Sequence, residues 1–196
     1  MSGKAAATGV EAKVPAAARA LVALLNSRPH ATPVLPDRLD DPRTAQSVLA
    51  AFGAAEADGE VSSELLDRIR ALRTELMAVV EASDEGEAAR MWDAVTARVA
   101  GATYQQVFSD TAVRLRQVTG DPLIGRIASA VADLVGSGAW TRVRVCANEQ
   151  CGAVFYDVTR SRTQRWHSYE VCGNRSNVAA YRARRAKSPA AGAAEG

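Results

Sequence analysis

Apolar positions along the first half of the chain recur with a helical period. From Ser62 onward, Leu65, Leu66, Ile69, Leu72, Leu76, Val79 and Val80 fall on one stripe, which predicts an amphipathic helix. The segment PAAARALVALLN, Pro15 to Asn26, predicts a shorter helix, and Ser27 to Asp41 is Pro-rich and predicts a loop. Asp41-Pro42 joins a capping carboxylate to a proline suited to a first helical turn, and Gly53 is a natural stop for the helix between them. A further helix is expected over Gly86 to Val99, burying Met91, Trp92, Val95 and Val99.

The period then changes. TYQQVF and AVRLRQV alternate or are β-branched, with Ser-Asp-Thr between them, so residues 103–119 predict a β-hairpin. Asp121-Pro122 repeats the cap-plus-proline signal and opens a helix with Leu123, Ile124, Ile127, Val131, Leu134 and Val135 on one face, ending near Gly136. TRVRVC reads as a strand ending on Cys146. The expected fold is mainly α with a small β-hairpin. A helical body over 15–140 precedes a small C-terminal module over 141–187, with flexible, small-residue tails at 1–14 and 188–196.

Composition narrows the class. The chain has 196 residues, 47% of them hydrophobic, which is a globular composition. No run of about 18 apolar residues occurs, so a membrane span is not expected. The N-terminal stretch lacks a basic start, an unbroken apolar centre and a cleavage site, and reads as no secretion signal. A cytoplasmic protein follows, and in that setting three cysteines read as a metal or redox set rather than a disulfide framework. The formal net charge of +2 hides an asymmetry: residues 1–140 carry a balance of −4 and residues 141–187 a balance of +7. A basic end on a mildly acidic body suggests an anionic partner for that end.

All three cysteines and one of the two histidines fall in the basic end, as Cys146-x4-Cys151-x15-His167-x4-Cys172. Two closely spaced pairs from separate segments are how structural zinc sites gather four ligands. One structural Zn2+ is therefore expected on Cys146, Cys151, His167 and Cys172. A chance cluster of buried cysteines and a catalytic zinc are the alternatives; four protein ligands leave no open position for water, which argues against the second. Val154 and Phe155 are expected to build a miniature core, and Asp157 to bond to the backbone or an arginine. Metal would supply much of the stability of so small a module.

The stretch CANEQCGAVFYDVTRSRTQRWHSYEVCGNRSNVAAYRARR resembles the CGNR zinc finger, named for the motif that is Cys172-Gly173-Asn174-Arg175 in this chain. The resemblance rests on the x4 knuckle, the Phe-Tyr-Asp run, the Thr-Arg-Ser-Arg run, Arg165-Trp166 and the Arg-rich end. The preceding 140 residues resemble the helical ABATE domain, through ALVALLNSRP, the ALR segment around Leu72, the hairpin and the RVRVC junction. The resemblance implies a transcriptional regulator. One departure is His167, where the family usually has a cysteine; histidine ligates zinc too, with a shorter bond and less negative charge.

Arg160, Arg162, Arg165, Arg175, Arg182, Arg184 and Arg185 are the candidate nucleic-acid contacts. Guanidinium groups bind phosphate in a bidentate manner and are the commonest readers of guanine. On a helix over 173–187, Arg175, Arg182 and Arg185 would share a face, with Val178 and Tyr181 packing back on the finger. RNA stacking on Trp166, Tyr169 or Tyr181, and docking of an acidic protein, are the alternatives to DNA. Trp166 reads as core before platform, and Trp92 and Trp140 as packing residues. The body carries no phosphate loop, nucleophile elbow or second metal set, so no enzyme is expected. His30 reads as a surface residue and Glu56, Asp58 and Glu60 as a solvated loop face. Homodimerisation or binding of a small-molecule effector are the roles left for the body.

Overall fold

The computed structural model describes residues 14–54 and 60–187. The tails expected at 1–14 and 188–196 lie outside these residues except for Val14, as do Glu56 and Asp58. The body is built from α1 (Ala16–Leu25), α2 (Pro42–Leu49) with a 3-10 turn behind it, α3 (Ser63–Glu81), α4 (Glu85–Val99) and α5 (Pro122–Gly136). A hairpin of β1 (Tyr104–Ser109) and β2 (Ala112–Gln117) stands between α4 and α5. The finger follows as β3 (Val143–Val145), β4 (Val154–Tyr156), a π-helical turn over Tyr169–Gly173 and α6 (Asn174–Lys187).

The helix starts follow from their caps. Asp41 accepts from the N–H groups of Arg43 and Thr44, Ser62 from Leu65, Asp84 from Glu87, and Asp121 from Leu123 and Ile124. Each cap satisfies donors that the first turn cannot pair internally. Gly53 ends the turn after α2 with φ 81°, a left-handed conformation that glycine adopts without strain. The core gathers Leu21, Leu24 and Leu25 of α1 against Leu49, Ile69, Leu72, Leu76, Ile127 and Leu134. The Pro-rich loop is fixed from beneath by buried Arg73, which donates to Ser27 Oγ at 2.7 Å and forms a two-pronged ion pair with Asp37. Burial alone would raise the Asp37 pKa, but the bonds from Arg73 and the Leu39 N–H hold it below the usual carboxylate range.

Several side chains sit elsewhere than their periodicity suggests. On α4 only Val95 is buried; Met91, Trp92 and Val99 are half-covered, with Trp92 tilted against Trp140 at 5.0 Å between ring centroids. Val135 is half-exposed at the rim of a cleft between α4 and α5, while the adjacent Leu134 takes the core-facing position. The hairpin is exposed along nearly all of both strands.

The finger strands are part of the same core. Val154 of β4 is 2% exposed and packs with the body's residues, so it does not form the separate miniature core with Phe155 that the sequence suggests. The open edge of β4 is completed by one side chain of the body. Asn26 Nδ2 donates to Val154 O at 2.8 Å while Val154 N donates to Asn26 Oδ1 at 2.7 Å, so the amide pairs as a neighbouring strand residue would. Arg28 donates to Gly152 O at 2.6 Å, and Thr32 N to Gln150 O at 2.9 Å. Replacing Asn26 by Ala leaves both polar groups of Val154 unpaired, so the zinc-loaded variant should lose about 1–3 kcal/mol. In a chain of this size that lowers the melting temperature by roughly 2–4 °C per kcal/mol. Thermal melts read by far-UV and near-UV circular dichroism check this, and the two signals should fall together.

Candidate metal centre

Strand β3 ends at Cys146, whose N–H donates to Ala153 O at 2.8 Å and so closes the knuckle. Inside it, Cys151 N donates to Asn148 O at 2.8 Å and Gly152 takes φ 61°, turning the chain back into β4. The second pair arrives from the far side of a long loop. Ser168 caps the π-helical turn by accepting from Val171 N, and this turn presents Cys172 one step before α6. Gly173 is buried there: a Cβ on it would lie 2.8 Å from the Tyr169 ring and 3.2 Å from the Trp166 ring. Asn174 Nδ2 then bonds Glu170 O at 3.0 Å. Three residues of the Cys-Gly-Asn-Arg motif, Cys172, Gly173 and Asn174, thus have roles inside the fold, while Arg175 is exposed.

The loop between the pairs is organised by Asp157, which is fully buried. Its Oδ1 accepts from Thr159 N at 2.8 Å and from the Thr159 hydroxyl at 2.5 Å; its Oδ2 accepts from Gln164 N at 3.0 Å and Arg144 at 3.4 Å. Burial pushes the Asp157 pKa up, but the bonds from Thr159, Gln164 and Arg144 outweigh it and hold the group below its ordinary value. Arg142 adds bonds to the carbonyls of Asp157 and Thr159, and Arg144 to that of Arg162. The alternation of Arg142 and Arg144 along TRVRVC is the readable sign of this role. Asn26 left none, because its partner lies 128 residues away.

The four expected ligands converge. Cys146, Cys151, His167 and Cys172 place their donor atoms within 4.8 Å of one another, with His167 Nδ1 3.4 Å from Cys151 Sγ and 3.7 Å from Cys172 Sγ. Zinc bonds of about 2.3 Å to sulfur and about 2.0–2.1 Å to nitrogen give a tetrahedron with sulfur–nitrogen edges of about 3.6 Å, so the donor set fits one zinc ion. Ligation through Nδ1, the nitrogen facing the two sulfurs, would leave the proton of a neutral His167 on Nε2. Cys146 and Cys172 are buried with Phe155, and Cys151 and Trp166 pack beside them, so the site is dry on one side and opens at His167. Trp166 belongs to this small core, as the sequence suggests, with Arg165 over its ring at 5.2 Å. His30 is half-buried over the knuckle rather than on open surface, its Cβ 3.7 Å from where a Gly152 Cβ would be.

Without a cation, burial and the neighbouring Cys172 and Cys146 push the Cys151 thiol up to about 11, against a weaker opposing bond from the Ala153 N–H. Burial, and then the charge of His30, lower the His167 pKa below its ordinary value of 6.5. The seven candidate arginines are all exposed. Arg160, Arg162 and Arg165 lie in the loop after β4; Arg175, Arg182, Arg184 and Arg185 lie on α6. Among the described residues none of the seven is in an ion pair, whereas Arg144 is.

The signs of these shifts set a pH dependence. Because His167 is neutral at pH 7, zinc displaces protons only from thiols there, and each thiol that must ionise changes the affinity by about tenfold per pH unit. The raised Cys151 thiol alone should make zinc affinity rise by at least about tenfold per unit between pH 6.5 and pH 7.5, as measured by competition with a chromophoric chelator. Below the lowered His167 pKa a fourth proton competes and the dependence should steepen. In His167→Ala the zinc should bind at least about 100-fold more weakly, and that extra steepening should vanish.

Comparison with protein-family models finds two matches along the chain. Residues 142–185 match the model described as CGNR zinc finger. Residues 18–138, more than half the chain, match the ABATE model, described as "Putative stress-induced transcription regulator". No curated protein matches the chain. The chain belongs to the ABATE family, described as "Putative stress-induced transcription regulator", with a CGNR zinc finger at its C-terminal side whose four Cys and His donors fit one zinc ion.

Proposed function

We propose that this protein is a zinc-dependent, DNA-binding transcriptional regulator of the cytoplasm, whose finger contacts DNA while the helical body sets its oligomeric state or senses an effector. The observation that carries the reading is α6. It leaves the zinc centre directly from Cys172, and Arg175, Arg182, Arg184 and Arg185 are exposed along it. An exposed basic helix fits the major groove, about 12 Å wide, where arginine reads guanine and neighbouring arginines hold phosphates. Arg160, Arg162 and Arg165 would extend the contact along the backbone. Arg142 and Arg144 are excluded from this role by their bonds inside the finger. Four protein donors fill a tetrahedral ion, so the zinc is structural and the chain is not read as an enzyme.

One observation favours a second reading, in which the finger docks an acidic protein or unpaired RNA. Val178 and Tyr181, expected against the finger, are instead half-exposed on α6, and Tyr169 is exposed beside it. Effector sensing has a place to occur: an apolar cleft of about 240 Å³ lies between α3, α4 and α5, lined by Leu72, Trp92, Val95, Val99 and Val131. No helix among the described residues is long and apolar enough to cross a membrane.

Selection of zinc-loaded protein on random duplexes, with Cys172→Ala as control, separates the readings. A DNA reader should enrich one sequence and lose about 1–3 kcal/mol per mismatched base pair. Binding without enrichment favours the docking reading. Replacing a phosphate-contacting arginine, tested as Arg182→Ala and Arg185→Ala, should each reduce the slope of log affinity against log salt by about 1.

A further inference from the structure

His167 brings two ring nitrogens to the finger, and the fold uses only one of them. Nδ1 faces the sulfurs of Cys151 and Cys172 at 3.4 and 3.7 Å. The two ring nitrogens point away from each other, so Nε2 is directed out of the ligand cluster. Cys146 and Cys172 are buried, whereas His167 is exposed and forms the open side of the site. Among the described residues Nε2 has no hydrogen-bond partner. Glu170, three residues on, is bonded instead by the Ser168 hydroxyl at 3.1 Å and by its own N–H. Glu149, exposed on the knuckle, does not bond the ring either. His30 is the neighbour whose charge acts on His167, and its own Nδ1 donates to Arg28 O at 2.8 Å. Metal-ligating histidines almost always donate their second N–H to a carboxylate, a carbonyl or a water. In this finger the described chain supplies no such acceptor, and a partner can.

We propose that Nε2–H of zinc-bound His167 donates to a phosphate oxygen of bound DNA, at the point where the site opens. The inference rests on the DNA reading above and adds to it one contact outside the arginine set. Charge selects the acceptor. Arg165, two residues earlier, is exposed with its guanidinium over the Trp166 ring, and Arg160 and Arg162 precede it in the same loop. Among the described residues none of the three is in an ion pair. A phosphate backbone drawn to this loop therefore meets the open side of the zinc site. Its oxygens accept and do not donate, which matches a lone N–H. Zinc on Nδ1 draws electron density from the ring and strengthens Nε2–H as a donor. A cysteine at this position could hold the metal but would bring no second donor. The contact belongs to histidine alone.

The test compares zinc-loaded wild type with zinc-loaded His167→Cys, the zinc content of each being measured. Both are titrated with the duplex that selection enriches, its phosphates replaced one at a time by uncharged methylphosphonates. In wild type, one replacement should weaken binding by about tenfold, through loss of a hydrogen bond to a charged acceptor. In His167→Cys the same replacement should cost less than about twofold, while the other contacted phosphates should cost both proteins alike. The extra negative charge of a fourth thiolate lowers the variant's affinity for every duplex, so the readout is the difference at one phosphate. Should His167→Cys lose its zinc, or selection enrich no sequence, the wild type decides alone. Its imidazole nitrogen–proton spectrum, recorded with and without a short duplex, should show the Nε2 proton protected from exchange only when DNA is bound. Costs that match between the two proteins at every phosphate overturn the proposal and leave the DNA reading standing. So does an Nε2 proton that still exchanges with water in the complex. A zinc-loaded wild type that binds no duplex overturns both.

Discussion

Three thiols and an imidazole held within 4.8 Å of one another are stable as a set only around a cation. Burial pushes the Cys151 thiol up to about 11, and a bound cation is what would favour its thiolate. The metal therefore decides whether the two ends of the finger meet. Strand β3 and the knuckle supply one pair of ligands, and the π-helical turn at the head of α6 supplies the other. Between them Asp157 gathers the loop by four hydrogen bonds, and Arg142 and Arg144 tie that loop to β3.

The body enters this arrangement at one place. Asn26 and Arg28 follow the last turn of α1, whose leucines are the centre of the main core, and they bond to the backbone of β4 and the knuckle. Val154 sits in that core as well. Half of the metal site is thus pre-positioned by a large apolar cluster, while the half containing His167 and Cys172 is not. Order should spread from the body outward, through β4 to the knuckle, then across the metal to α6. A single amide can matter here because β4 is only three residues long and has just one strand beside it.

How much of this was legible depends on whether the determining partner is near in sequence. The caps at Asp41, Ser62 and Asp121 act within four residues, and the helices they open fall where expected. The ligand set was legible because Cys and His are scarce in this chain and their spacing is itself the signal. What could not be read was placement relative to distant surface. Periodicity identifies Val135 as apolar-faced but not that it lines the rim of an open cleft while Leu134 beside it takes the core. It assigns Val178 and Tyr181 to an inner face of α6, yet the finger is too small to offer a surface to pack on. The hairpin's alternation was equally visible, and equally silent about whether anything covers it. His30 and Asn26 gained their importance from a knuckle more than a hundred residues on.

The state of α6 ties these threads together. A helix of 14 residues is marginal in water when nothing packs along it. This one opens with buried Gly173 under two aromatic rings, then runs out with its described side chains in solvent or half-covered. Its first turn is set by Cys172, and so its direction is set by the metal. Arginines on a loose peptide would bind an anionic polymer without preference, because each could find a phosphate independently. Held at fixed spacing on a helix whose origin is bonded to the core, they can meet bases and phosphates in one register only. In the proposed reading the zinc would contribute specificity in this sense: it would contact no partner, but would hold a basic helix as an ordered row of donors.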